Sequence, residues 1–228
     1  DYKEIVAKIP EGIIFTEEIK RNLLISYKIL GADTIYSDKV NELSLVSKKL
    51  ELDFVRKKAN FKDFKFIEYD ESKKIILVKP GEWNLSKDLI IPSGFNFVIK
   101  PNTKINLNNE ATILSFSPVK FFGTASEPII INSQDFTGQG ISVISAKNNS
   151  IIKYVHFKNL DSPKKKGFKL FGSVNFYESE VKISHSTFTN SRSEDALNLI
   201  RTNAKIINTN FYQTKFDAID LDFSRVNI

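Results

Sequence analysis

The chain has no cysteine and no methionine among its 228 residues, and only two histidines, one tryptophan, nine glycines and seven prolines. Without thiols it is neither a disulfide framework nor a cysteine zinc ribbon nor a thiol enzyme, so its redox compartment stays open. No apolar run approaches the roughly 20 residues needed to cross a bilayer. A Gly-rich phosphate loop, Gly-x-Ser-x-Gly and His-Glu-x-x-His are all missing, which disfavours nucleotide chemistry and the common serine and zinc hydrolase mechanisms. What is present is a globular composition, 41% hydrophobic and 26% charged. The formal net charge of +6 is spread over the whole length, favouring solubility and a mild attraction to polyanions over a dedicated nucleic-acid surface.

From about Lys74 the sequence is a succession of short β-rich runs separated by Asn, Ser, Asp, Gly and Pro, with no helical stretch between them. Val181-Lys182-Ile183-Ser184-His185-Ser186-Thr187-Phe188 aligns with Ala204 to Phe211 at an offset of 23 residues. Ser150 to Phe157 fits the same template at an offset of 31, the excess falling around Leu160 to Gly167 as an inserted loop. A second column joins Ala196-Leu197-Asn198-Leu199 to Ala218-Ile219-Asp220-Leu221 at an offset of 22, with Ser173-Val174-Asn175-Phe176 a further 23 upstream. A helix-free period of this size is the signature of a parallel β-solenoid, whose coils bury their apolar faces only by stacking on one another. Ile183, Ile206, Leu197, Leu199, Ile219 and Leu221 then point inward. Phe157, Phe188 and Phe211 form an aromatic stack, with coils about 4.8 Å apart.

The stretch from Trp83 to Ile105, with its Ile91-Pro92-Ser93-Gly94 and Pro101-Asn102-Thr103 turns, resembles the opening coil of right-handed parallel β-helix proteins of the pectin-lyase-like superfamily. Ser193-Glu194-Asp195-Ala196-Leu197-Asn198 and Asp217-Ala218-Ile219-Asp220-Leu221-Asp222-Phe223 resemble repeats of a poorly characterised bacterial branch of it. The resemblance covers residues 74–228 and supplies the handedness. The expected fold is therefore all-β: a right-handed parallel β-helix over 74–228, with a small mixed α/β or β-rich capping region over 1–73. In that region Thr16-Glu17-Glu18-Ile19 reads as a helix start, while Glu42-Leu43-Ser44-Leu45 and Lys49 to Phe54 alternate like strands. The chain stops at what reads as the start of another coil, and the expectation is that the natural protein continues beyond Ile228.

The strongest chemical signal is an acidic ladder. Asp195 and Asp217 share one column, preceded by Gly172 and Gly140, while Asp220 stacks on Asn198 and Asp222 adds a carboxylate two residues on. Carboxylates one coil apart need a cation, an arginine, a retained proton or divergent side chains to relieve them. Asp195, Asp217 and Asp220 are thus candidate Ca²⁺ ligands, and Asp195 and Asp217 candidate acid/base groups, with Arg201 or His185 assisting. Asn198, Asp220, Asp222 and Tyr177 are candidate ligand contacts. The plainer alternative is a turn ladder accepting backbone N–H bonds. His185 falls between Tyr154 and Asn208 of neighbouring coils, two positions off His156, so the histidines do not stack as a metal pair. Lys164-Lys165-Lys166 reads as a solvated loop tip.

Neither the polygalacturonase carboxylate set nor a pectate-lyase arginine motif is found. The expected function is a non-enzymatic surface or secreted module, extracellular or periplasmic, that binds or organises a polysaccharide or surface protein. The alternative is a polysaccharide lyase or glycoside hydrolase using the Asp195, Asp217, Asp220 and Asp222 cluster.

Overall fold

A computed structural model describes residues 11–14, 16, 18–19, 22–29, 31, 33–40 and 53–228. The chain divides into two compact units, 1–49 and 50–228. In the first, Leu24–Lys28 pairs antiparallel with Ile35–Lys39. Tyr27 and Tyr36 face each other in register with rings 5.7 Å apart, the cross-strand aromatic contact that stabilises a short hairpin. The Ile19 N–H donates to Thr16 Oγ1 at 3.3 Å, as expected at a helix start. The strand-like run proposed over 42–45 lies outside the described residues, as do 49–52 of the run proposed over 49–54; at its end Phe54 opens a 3-10 turn, Phe54–Arg56, instead of a strand.

The second unit is a parallel β-solenoid of about seven turns. Its first sheet stacks Ile75–Val78, Asn96–Ile99, Val119–Phe122, Ser150–Lys153, Val181–Ser184, Asn203–Ile207 and Arg225–Asn227. The second stacks Gly81–Leu85, Thr103–Leu107, Ile129–Asn132, Val155–Lys158, Thr187–Thr189 and Asn210–Tyr212. The third stacks Leu89–Ile91, Ile113–Ser115, Ile141–Ile144, Gly172–Tyr177, Asp195–Ile200 and Asp217–Asp222. The sequence offsets hold in register: Val181 faces Ala204, Ser150 faces Val181, and Val174, Leu197 and Ile219 form one column.

Alternation along each strand sends every second side chain inward, and like residues stack there from coil to coil. Phe157, Phe188 and Phe211 lie 4.8 and 4.7 Å apart, close to the coil spacing. Trp83 begins this inner column, packed 5.3 Å from Phe66, its Nε1–H donating to the Lys79 carbonyl.

The unit opens before the first coil. Ile67–Asp70 pairs antiparallel with Ile75–Val78 and occupies the edge of the first sheet, while Phe61, Phe64 and Phe66 are buried against the first coil. Residues 53–73 thus pack with the solenoid, within the compact unit that begins at residue 50.

In the later coils each corner is turned by one residue in the left-handed region. From Glu178 onward the corners use Glu178, His185, Asn190, Arg201, Asn208, Gln213 and Phe223, all with φ between 46° and 53°. Every one is followed by Ser or Thr. The backbone N–H of Glu178 donates to the Ile200 carbonyl, that of His185 to Ile207 and that of Arg201 to Asp222, so the corners are hydrogen-bonded between coils as the strands are. The following hydroxyl is turned back into the chain: Ser186 Oγ donates to the Ser184 carbonyl and accepts the Val155 N–H, and Ser179 Oγ does the same for Tyr177 and Ala146. At these bends the leftover backbone donor and acceptor are both satisfied within the chain.

The insert at 160–171 forms a short antiparallel hairpin, Lys164–Lys165 with Phe168–Lys169. It is not a free loop tip. Phe168 joins Phe54 in covering the outward-facing Ile90 and Leu114 of the third sheet, and Lys165 pairs with Asp88 at 2.9 Å.

Candidate functional site

The acidic column sits on the third sheet. Asp195 and Asp217 are in register, as are Asn198 and Asp220, and the strand before contributes Gly172 and Asn175 at the same two positions. Gly140 does not extend the column: Ile141 pairs with Val174, which sets Gly140 against Ser173, one position off. The repeating unit is a residue at the strand start and an amide or carboxylate three positions on. In the earlier coil the Gly172 N–H donates to Asn175 Oδ1. In the next, the Asn198 amide donates to Asp195 Oδ2 at 3.1 Å and to Asp220 Oδ2 at 3.0 Å.

That geometry decides how the like charges are relieved. The two N–H bonds of Asn198 stand between the Asp195 and Asp220 carboxylates, in the place a cation would take. Among the described residues no group of three or more His, Cys, Asp or Glu side chains is arranged to hold a metal ion. A neutral amide compensates only part of the repulsion. Asp195 is 3% exposed; burial pushes its carboxyl up, and the charges of Asp220, Glu194 and Asp217 push it further, to about 6. Both Asn198 donors being used, its buried Oδ1 is left without a partner. Asp217 is exposed and Asp220 half-buried, its Oδ1 accepting the Leu221 N–H at 2.9 Å.

The remaining predicted site residues are not gathered here. Arg201 turns the corner after the third sheet, six positions along the strand direction from Asp195 and therefore on the order of 20 Å away. Its guanidinium faces Glu178 at 3.6 Å. His185 turns the corner between the first and second sheets, stacked on Tyr154 at 4.7 Å, with its Nε2 3.2 Å from Asn208 Nδ2. Neither assists Asp195 or Asp217, because alternate corners of a solenoid face different directions. Asp222 is exposed at the far end of its strand, in register with Ile200, and Tyr177 is half-buried in the same column.

A second set of polar side chains, which the sequence reading passed over, lies on the outer face of the second sheet. Asn84, Asn106 and Asn132 share one column. The Asn106 amide donates to Asn84 Oδ1 at 2.9 Å and to Gln134 Oε1 at 3.0 Å, while its own Oδ1 accepts the Gln134 N–H. The ladder resumes where Asn159 donates to Asn132 and Asn190 to Asn159, at 2.9 and 2.8 Å. Beside it Glu82 and Lys104 are ion-paired, and Ile130 gives an apolar floor. Together they line a cleft of about 150 Å³. The spacing that would have revealed it is the 22-residue offset from Asn84 to Asn106.

These features define a β-solenoid with chemically distinct outer faces. Comparison with protein-family models, with curated proteins and with solved structures finds no match for this chain.

Proposed function

We propose that the solenoid is a secreted or surface binding module of bacterial origin that holds a polysaccharide along its axis. We also take it as a divergent relative of the pectin-lyase-like superfamily, on the strength of the Ile91-Pro92-Ser93-Gly94 turn, with 53–73 serving as the cap of its first coil. The amide ladder from Asn84 through Asn106 and Gln134 carries the reading. Amides present donors and acceptors side by side, as sugar hydroxyls do, and here they recur at the coil spacing beside an apolar floor at Ile130. A linear glycan meets the same contacts again as it advances from one coil to the next.

The test is sedimentation of the full chain with insoluble and soluble polysaccharides, acidic and neutral, comparing wild type with Asn106→Leu. Loss of binding in the variant at unchanged melting temperature supports the reading. Equal binding by both, or no binding to any glycan, refutes it.

A second reading is favoured by one observation. A carboxyl held at about 6 beside the Asp220 and Asp217 carboxyls is the kind of paired-carboxyl arrangement used in glycoside cleavage. New reducing ends formed by wild type but not by Asp217→Ala would replace the binding module with an enzyme.

A further inference from the structure

Although the net charge is spread evenly along the sequence, folding sorts it. The seven parallel strands of the first sheet contain no Asp or Glu at all. On their outer face one column runs Leu77, Val98, Lys120, Ile151, Lys182, Lys205, and the neighbouring column runs Phe122, Lys153, Ser184, Ile207. Lys182 and Lys205 are stacked directly, about 4.8 Å apart along the sheet. Among the described residues none of Lys120, Lys153, Lys182 and Lys205 takes part in an ion pair. On this rim Glu180 accepts a hydrogen bond from Asn203 rather than from a lysine. Like charges placed opposite one another across strands are destabilising, and native sheets usually offset them with an acid. Here the parallel strands offer none: the acid of this column, Glu68 on the antiparallel edge strand, is paired with Lys79.

The same face is not simply basic. Phe122 is 40% exposed, and Val98, Ile151 and Ile207 are half-buried between the lysines. We propose that this face docks an acidic, amphipathic segment of a partner protein, its carboxylates taken by Lys120, Lys153, Lys182 and Lys205 and its apolar side chains by Phe122, Ile151 and Ile207. Charge complementarity calls for an anion. The aliphatic groups decide which kind: a bare polyanion leaves them in water, whereas a segment carrying both acids and apolar side chains covers them. Nucleic acid is the poorer fit because Arg225 is the single arginine on these strands and Phe122 is the single aromatic on their outer face, too few platforms for a run of bases. The inference is independent of the glycan reading, which concerns the second sheet.

The experiment is fluorescence polarisation of the full chain with a labelled peptide of about twenty residues whose helical face alternates Glu and Leu at successive turns. Poly-glutamate of equal charge, a sulfated oligosaccharide and oligothymidylate are titrated alongside. The expected result is an affinity for the amphipathic peptide at least about tenfold above that for poly-glutamate. Lys182→Glu with Lys205→Glu should lower it by tenfold or more, and Phe122→Ser by several-fold, with melting temperatures unchanged because all three side chains are exposed. Equal or tighter binding of poly-glutamate, the sulfated sugar or the oligonucleotide overturns the proposal. So does failure of the peptide to bind, or indifference to the double charge reversal. Should charge reversal disturb folding, Lys153→Gln with Lys182→Gln repeats the test without introducing a charge, and unchanged affinity there also overturns it.

Discussion

Asp195→Asn is expected to stabilise the protein, and to do so only where the native carboxyl is ionised. The folded state holds this carboxyl at about 6 against an ordinary value of 3.8. Because the folded pKa is raised, the folded chain binds the proton more tightly than the unfolded chain, and stability is lost as pH rises from about 4 through about 6. A separation of 2.2 units corresponds to up to about 3 kcal/mol at full ionisation. By linkage about 1 kcal/mol of this is already lost near pH 4.5 and nearly all of it near pH 8. An amide at this position carries no charge to desolvate or to repel Asp220, and its oxygen still accepts the Asn198 bond. The gain from the substitution should therefore be about 2 kcal/mol larger near pH 8 than near pH 4.5. Urea unfolding followed by the emission of Trp83, the single tryptophan, measures both. Taking the variant minus wild type at each pH cancels the carboxylates that do not face Asp195, including Asp135, whose carboxyl is raised by burial but held at about 2 by backbone and hydroxyl donors. A stability difference that does not change with pH would refute the reasoning.

Ser186→Ala should cost about 1 to 3 kcal/mol, because the buried hydroxyl serves both the Val155 N–H and the Ser184 carbonyl and no water replaces it; a change below a few tenths in the same urea titration would contradict its bridging role. Arg201→Gly should be neutral or stabilising by up to about 1 kcal/mol, since φ at this position is 50° and the side chain gives up only an exposed 3.6 Å ion pair. Thermal melting that falls by several degrees would show that the guanidinium holds more than its corner.

The solenoid was legible because it depends on stacking, and stacking writes itself into the sequence as an offset. Val181 to Phe188 and Ala204 to Phe211 pair as aligned, and Leu197, Leu199 and Phe188 are all buried. The position of His185 between Tyr154 and Asn208 was readable for the same reason. The acidic site was less legible. Register put Asp195 over Asp217, but which species relieves the charge depends on the orientation of one side chain, Asn198, and no periodicity encodes a rotamer. Arg201 and His185 looked close to the acids along the chain and are not, since a corner intervenes each time. The insert failed in another way. Lys164-Lys165-Lys166 has the composition of a solvated loop, but its fate is set by Asp88 and by the outward-facing Ile90 and Leu114 that the insert covers, all more than seventy residues upstream or in another coil.

The corners show why fold and function separate so cleanly in this chain. A left-handed residue followed by Ser or Thr needs only its backbone and one hydroxyl to make the bend. The left-handed residue's own side chain projects away from the core and is free to be Glu, His, Asn, Arg, Gln or Phe. Inward positions are likewise fixed by the stack, so selection on ligand binding is confined to the outward columns. Those columns differ from sheet to sheet: amides on the second, lysines among aliphatic groups on the first, carboxylates bridged by an amide on the third. Because each column repeats once per coil, a single favourable contact is multiplied along the axis without any change to the core. A chain built this way gains affinity for long, repetitive partners more readily than it builds a compact pocket, and that is the physical ground for placing polymer binding ahead of catalysis.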